Sequence, residues 1–546
     1  MKIKYTILAV SVVAVLMSGC SKKTEESSSE MVSTEAVAAD AAYEPTAVAA
    51  DASAEVAAYG SEENTENYQK TEQNTVKSVV KEPISTFSAD VDTGSYANVR
   101  RFLTQDRTLP PVDAVRVEEL INYFNYHYPQ PTGSHPFSVN TETVDSPWQA
   151  NAKVIRIGIQ AKNIDQKQLP PANLVFLVDV SGSMDEEKKL PLVKKTLSIL
   201  TEQLRPQDKV TLITYSGHEE IVLEPTSGEN KSKILNAINE LSASGSTSGE
   251  SAIQMAYKEA QKSFIKNGIN RILIATDGDF NVGITDFDTL KNMIAEKRKT
   301  GISFTTLGFG RGNYDEQLME QLADAGDGNY SYIDNENEAK KVLKQQLSST
   351  LATVAQDVKI QVEFNPATVK EYRLIGYENR MLNQEDFNND KVDAGDIGAG
   401  HTVTALYEII PTGQKGWLAD SRYQDAAKKE GSKTEYAYLN LRYKLPNTAK
   451  SILLTQPIAA ASKPLAQASA DTRFALAVAS YGQQLKGAKY SGAMGWNDIV
   501  QLAKSAKQPD EFGLKAEFID LLQRAKSMSS DKAQTQQSTQ QINRAS

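Results

Sequence analysis

The chain has 546 residues, too many for one hydrophobic core, so we expect two or three domains. Its formal net charge of −10 argues against a nucleic-acid-binding protein, which would need a basic surface. The single cysteine excludes a framework of disulfides within the chain, so packing alone must hold its cores together.

The start of the chain has the pattern of an exported lipoprotein. Two lysines precede an apolar run, residues 5–17, that is too short to span a bilayer comfortably. Cys20 follows a pair of small residues in a segment that resembles a bacterial lipobox, which predicts a signal peptide over 1–19 and a lipid on Cys20. An ordinary signal peptide with an accidental cysteine is the alternative. In lipoproteins of this kind Ser21 implies the outer membrane, held by the lipid anchor only.

Residues 20–80 are expected to form a disordered acidic tether. They are rich in Ala, Glu, Ser, Thr and Val and nearly lack large apolar side chains, so they cannot bury enough surface to offset the entropy of ordering. An N-terminal domain of helices followed by strands is expected over 81–165. One of its helices has a proline-rich start, with Asp113 as a candidate N-cap.

Strands and helices alternate over residues 170–352. The strands are continuous apolar runs rather than alternating ones, as expected when helices cover both faces of a sheet. This pattern predicts an α/β domain with a doubly wound, mostly parallel, Rossmann-like sheet. Ligands bind such sheets at the carboxyl ends of the strands, near the point where the strand order reverses.

The remaining chain changes character twice. Residues 356–460 have strands separated by polar turns, which predicts a β-sandwich, and 466–528 have the apolar spacing of helices. The Gln- and Ser-rich stretch 529–546 is expected to be a disordered tail. Because the termini of a doubly wound domain usually emerge close together, we expect strands at 137–162 to pair with strands at 358–457 in one discontinuous sandwich.

A candidate metal site begins where the first apolar strand of the α/β region ends. Asp179, Ser181 and Ser183 occupy alternate positions there, so their oxygens lie on one side of the backbone. Thr247 lies in a Gly/Ser loop before a helix, and Asp277 follows a second apolar strand. Carboxylate and hydroxyl oxygens suit a hard divalent cation, of which Mg²⁺ is the best fit and Mn²⁺ or Ca²⁺ the alternatives.

This ordered set resembles the metal-ion-dependent adhesion site of von Willebrand factor type A (VWA) domains. The resemblance implies that Ser181, Ser183 and Thr247 coordinate the ion through hydroxyls, and that Asp179 and Asp277 act directly or through water. The flanks extend it to a family of Gram-negative lipoproteins with a central VWA domain, since three long segments are similar: PISTFSADVDTGSYANVRRFL, VRVEELINYFNYHYPQP and RLIGYENRMLNQEDFNNDKVDAGDIGAGHTVTALYEI.

The expected function is non-enzymatic binding of a protein partner. Mostly neutral ligands leave the cation under-neutralised, so a carboxylate of the partner completes its coordination. The alternative is a structural or chaperone-like scaffold for envelope assembly, in which the metal site only stabilises its loops and the flanking domains carry the function. Binding of nucleic acid is not expected.

One further motif, Asp92-Thr93-Gly94, matches part of the aspartic protease signature. That chemistry needs two carboxylates sharing one site, and the sequence has no second such motif. A helix follows at once, so Asp92 or Thr93 is expected to be a helix cap, and a hydrolase is the weakest alternative.

Overall fold

The computed structural model describes residues 66–246, 249–278, 287–312, 314–343, 353–392, 394–419, 432–446, 448–510 and 512–545. Cys20 and the signal peptide lie outside these residues, so both stay predictions. The strands are numbered in chain order: β1 (Lys77–Ser78), β2 (Ile84–Ser88), β3 (Phe137–Asp145), β4 (Lys153–Ala161), β5 (Ala172–Asp179), β6 (Lys209–Tyr215), β7 (Glu219–Ser227), β8 (Ile269–Thr276), β9 (Ser303–Gly308), β10 (Tyr330–Tyr332), β11 (Thr353–Phe364), β12 (Val369–Ile375), β13 (Ile397–Gly398), β14 (Thr402–Pro411), β15 (Glu435–Lys444) and β16 (Ser451–Ala459).

The α-helices are likewise numbered in chain order. They are α1 (Gly94–Arg101), α2 (Val117–Asn122), α3 (Leu190–Gln203), α4 (Lys231–Glu240), α5 (Gly249–Lys262), α6 (Phe287–Arg298), α7 (Glu316–Ala325), α8 (Glu336–Lys341), α9 (Ala470–Leu485), α10 (Trp496–Ser505) and α11 (Leu514–Ala545). No helix among the described residues is long and apolar enough to cross a membrane.

The central sheet has the strand order β10-β9-β8-β5-β6-β7, parallel except for β7. Every residue of β5 is buried, because alternate side chains enter different cores. Leu174 and Phe176 pack with α3 and α4 on one face, and Val175 and Leu177 pack with α5 and α7 on the other. The predicted α/β class is confirmed, and the strand order reverses between β5 and β8.

The antiparallel strands form a sandwich from distant parts of the chain. One sheet has the order β1-β12-β14-β4-β3, and the other has β13-β11-β15-β16 with β2 also paired to β11. β14 pairs with β4, for example Leu406 opposite Arg156. The expected discontinuous sandwich is therefore confirmed, and residues 81–165 are not a separate domain of their own.

The helices that flank the α/β domain in sequence share one apolar cluster. Phe124, beside α2, contacts Phe474 of α9 and Phe518 of α11 edge to face, at centroid separations of 4.8 and 5.6 Å. α1 and α2 are short, with 8 and 6 residues, so they depend on α9 to α11 for burial. The helices at 94–122 and 470–525 thus form one layer rather than two independent segments.

Buried ion pairs attach the α/β domain to this helical layer. Arg100 of α1 donates to Asp334, which precedes α8, with Nε to Oδ2 at 2.8 Å, and to Glu338 of α8 with Nη2 to Oε2 at 2.7 Å. Both carboxylate side chains are only 1% exposed. The Lys341 ammonium lies 3.3 Å from the ring centroid of Tyr123. Charged side chains therefore fix the described end of the α/β domain against the helical layer.

Three sequence predictions are wrong in detail. Residues 66–80 are not a free tether, because Tyr68 packs on Phe102 and β1 pairs with β12. The prediction used the average composition of residues 20–80, which does not reveal the contact made by a single tyrosine. Asp113 lies in a 3₁₀ turn, and α2 begins only at Val117. The backbone of α11 stays helical to Ala545, since no Gly or Pro interrupts 529–545.

Candidate metal centre

Asp179 ends the central strand β5 and is fully buried. Its Oδ1 accepts a hydrogen bond from the Ser181 backbone N–H at 2.9 Å. Its Oδ2 accepts from Thr276 Oγ1 at 2.9 Å and from the Tyr215 hydroxyl at 3.3 Å. The carboxylate is thus aimed by the ends of three neighbouring strands, β5, β6 and β8.

The electrostatic environment of Asp179 favours a bound cation. Its pKa is raised from 3.8 to about 6: burial is the main cause and the nearby Asp277 adds to it, while hydrogen bonds from Ser181 and Thr276 oppose the increase. The ionised carboxylate is therefore costly without a positive charge beside it. A divalent cation would supply that charge.

The two serines continue from Asp179 into a tight loop. Ser181 is buried, Ser183 is exposed, and their hydroxyl oxygens lie 3.1 Å apart. The Gly182 N–H donates to the Gly245 carbonyl at 2.9 Å, which joins this loop to the Gly/Ser loop that precedes α5. Thr247 follows in that second loop but lies outside the described residues, so its role stays a prediction.

Asp277 directly follows β8 and is also fully buried. The turn beyond it is tight: Gly278 has φ +83°, and a Cβ there would lie 2.9 Å from the Asp315 backbone nitrogen. The Gly278 N–H donates to Thr276 Oγ1 at 3.1 Å, so the hydroxyl that binds Asp179 also holds this turn. Asp179 and Asp277 thus lie at the carboxyl ends of the neighbouring strands β5 and β8, between which the strand order reverses.

Lys189, which the sequence analysis did not identify, also belongs to the centre. Its Nζ lies 3.1 Å from Asp277 Oδ2 and its side chain is only 3% exposed. In the sequence it belongs to a run of charges, residues 185–189, that looks like a solvated surface. Only the fold reveals that this one lysine is buried at the site.

The residues present fit a hard divalent cation. Two carboxylates and two serine hydroxyls supply oxygen donors, and Asp179 and Asp277 are coupled electrostatically. In the described part of the chain no group of three or more acidic, histidine or cysteine side chains is placed to hold a metal. A cation at this centre would therefore depend on hydroxyl oxygens and water as well as on carboxylates.

Asp92 has a different role from the predicted helix cap. Its Oδ1 accepts from the Tyr330 backbone N–H at 2.9 Å, and its Oδ2 accepts from Arg380 Nη2 at 2.9 Å. Thr93, at the N-cap position of α1, makes no side-chain capping bond. Asp92 lines a cavity of about 260 Å³, where it links the α/β domain to the segment after β12. The same guanidinium also pairs with Asp90, Glu320 and Asp324, so Asp92 belongs to a cluster of acids around one arginine.

Comparisons with known proteins agree with this architecture. The family model for the von Willebrand factor type A domain matches residues 173–345, one for von Willebrand factor matches 62–156, and one for the C-terminal region of the uncharacterized protein YfbK matches 349–528. The chain is 46% identical over 470 residues to the uncharacterized protein YfbK of Escherichia coli K12, covering 84% of this chain and 81% of that protein.

More distant similarity covers less sequence. The uncharacterized protein sll0103 of Synechocystis is 28% identical over 207 residues, which is 38% of this chain and 48% of that protein. A solved von Willebrand factor type A structure from Catenulispora acidiphila is 14% identical, with a TM-score of 0.38 over 69% of this chain and 89% of the other. With its central α/β domain and both flanking regions matched, the chain belongs to the YfbK family of bacterial proteins that contain a VWA domain.

Proposed function

We propose that this protein binds a protein partner through a divalent cation, most simply Mg²⁺, held by Asp179, Ser181, Ser183, Thr247 and Asp277. The observation that carries the proposal is the pair of fully buried carboxylates at the ends of β5 and β8. Lys189 pairs with Asp277, so the two carboxylates and this lysine leave one net negative charge in a buried site, which a divalent cation would stabilise. The cation would act as a Lewis acid that accepts a carboxylate oxygen of the partner in place of water, and no covalent bond of the partner would be broken.

The exposed side of the centre supports a role in recognition. Ser183 is exposed although Ser181 and both aspartates are buried, so among the described residues the side of Ser183 offers solvent a route to the cation. We infer that the partner enters from the side of Ser183. We further propose that the protein is a lipoprotein attached at Cys20 to the outer membrane, and that it is not an enzyme.

Partner capture from cross-linked cell envelopes tests the binding role. Wild type is compared with Asp179→Ala in Mg²⁺ and in EDTA, with partners identified by mass spectrometry. Glu187→Gln is the matched control, because it removes an exposed carboxylate from the same loop. We expect partners that are lost in Asp179→Ala and in EDTA but kept in the control. Partners that persist in both conditions would refute the proposal and favour the scaffold alternative.

The anchoring proposal has its own test. Cys20→Ser should abolish labelling by a radioactive fatty acid and remove the protein from the outer-membrane fraction. Unchanged labelling or unchanged fractionation would refute lipidation at Cys20.

A further inference from the structure

Lys189 places a buried positive charge inside the candidate metal centre. Its Nζ contacts Asp277 Oδ2 at 3.1 Å and Glu186 Oε1 at 3.3 Å. The Lys189 and Asp277 side chains are 3% and 0% exposed, whereas Glu186 is 53% exposed. The strong partner of the ammonium is therefore Asp277, because the contact with Glu186 is screened by water.

The path of the Lys189 side chain is enclosed by the loop after β9. Gly310 has φ +80°, and a Cβ at this position would lie 2.5 Å from Lys189 Cε and 2.7 Å from its Cγ. The glycine thus leaves room for the lysine stem to reach Asp277. Lys189 also directly precedes α3, whose start is fixed in the core by Leu190. The ammonium is therefore held at the site from two sides.

The consequence is a change in the charge of the centre. Two buried carboxylates, Asp179 and Asp277, together with the Lys189 ammonium leave one net negative charge. A bound divalent cation would then leave one net positive charge, whereas a centre without the lysine would be neutral when loaded. In a poorly solvated site such a charge interacts strongly with nearby charged groups, because water screens it little.

We infer that Lys189 is a positioning residue that sets the selectivity of the metal centre. By pairing with Asp277 it weakens the affinity of the centre for the cation and leaves the loaded centre positive. The loaded centre then selects an anionic group on the partner, a carboxylate above all. This inference rests on the proposed metal-dependent function and explains why the partner must be anionic.

Two affinities measured on the full-length protein test this role. Mn²⁺ binding is measured by calorimetry, and acetate binding to the Mn²⁺-loaded protein is measured by water-proton relaxation. Lys189→Met keeps the apolar stem and removes the charge. We expect it to bind Mn²⁺ about tenfold more tightly or better, because repulsion from the ammonium is lost, and to bind acetate at least several-fold more weakly. Glu187→Gln, which removes an exposed carboxylate from the same loop, is the control and should change neither affinity.

The opposite signs of the two effects separate this role from a structural one. A lysine that only braces the loop would, when removed, weaken both affinities or change neither, and either result overturns the inference. If circular dichroism shows that Lys189→Met does not fold, Gly310→Ala is used instead, since its methyl group displaces the lysine stem without removing the charge. The same two shifts are expected, and their absence overturns the inference. Failure of wild type to bind Mn²⁺ would instead refute the proposed function itself.

Discussion

Removing the charge of Asp179 should stabilise the metal-free protein while abolishing its response to metal. The pKa of this buried carboxyl is raised from 3.8 to about 6, mainly by burial. A difference of about two pH units corresponds to roughly 3 kcal/mol of unfavourable free energy for the ionised folded form at pH 7. Asp179→Asn removes that cost. Its amide can keep the existing contacts, because the Thr276 and Tyr215 hydroxyls that face Oδ2 can reverse and accept.

The sign of the pH dependence follows from proton binding. Between pH 3.8 and about pH 6 the folded protein binds the Asp179 proton more tightly than the unfolded chain does, so this group's contribution to stability falls as pH rises through that window. In EDTA, the free energy of unfolding of Asp179→Asn should therefore be about 2–3 kcal/mol higher than that of wild type at pH 7, and only slightly higher at pH 4. Mg²⁺ at a hundred times its Kd should raise the free energy of unfolding of wild type by about 2.7 kcal/mol and leave that of the variant unchanged.

Hydrogen exchange at the amides of β5 and β8 measures these differences in stability, because it reports the free energy of opening of the α/β domain. Exchange is corrected for the intrinsic rate at each pH, and Glu187→Gln serves as the control. A variant that is less stable than wild type in EDTA at pH 7, or a difference that does not change with pH, would refute the reasoning.

Three further predictions concern the contacts around the α/β domain. Arg100→Met should cost about 3–5 kcal/mol in urea unfolding, because it leaves two nearly inaccessible carboxylates without their guanidinium; a loss below about 1 kcal/mol would contradict this. Tyr68→Ala should lower the free energy of local opening of residues 66–80 by about 3 kcal/mol and make this segment susceptible to limited proteolysis. An unchanged digestion pattern would show that the segment does not depend on Tyr68. Arg380→Met should lower the free energy of unfolding more at pH 7.5 than at pH 5. Burial raises the pKa of Asp324 to about 6 even beside Arg380, so without the arginine this carboxyl is neutral at pH 5 but carries an uncompensated charge at pH 7.5. Equal losses of stability at both pH values would argue against a charged Asp324.

Several features were predictable because they are recorded locally in the sequence. The α/β domain follows from continuous apolar runs alternating with helical patterns. β5, β6, β8 and β9 are confirmed as strands buried on both faces, whereas the edge strand β7 is mostly half-buried or exposed. The positions of Asp179 and Asp277 at strand ends also follow, because parallel strands place their carboxyl ends at one edge. The meeting of these two residues required only that β5 and β8 be neighbours.

Other features depend on contacts between distant segments. The buried role of Asp92 depends on Tyr330 and Arg380, each more than two hundred residues away. Its neighbour Thr93 does precede a helix, so the capping prediction was locally sensible and still wrong. The contribution of Lys189 has the same origin, since a lysine in a charged run carries no local sign of burial.

The sequence by itself determined the class of the domain, the order of its strands and helices along the chain, and the oxygen donors of the candidate centre. These depend on periodicity and on residue types within a few positions. Only the tertiary structure decided that the flanking segments form one sandwich and one helical layer, that Tyr68 packs on Phe102, and that Lys189 enters the centre. The reason is physical: periodicity records how much of a segment is buried, whereas the identity of its neighbours is set by topology and by which charges must be paired once water is excluded.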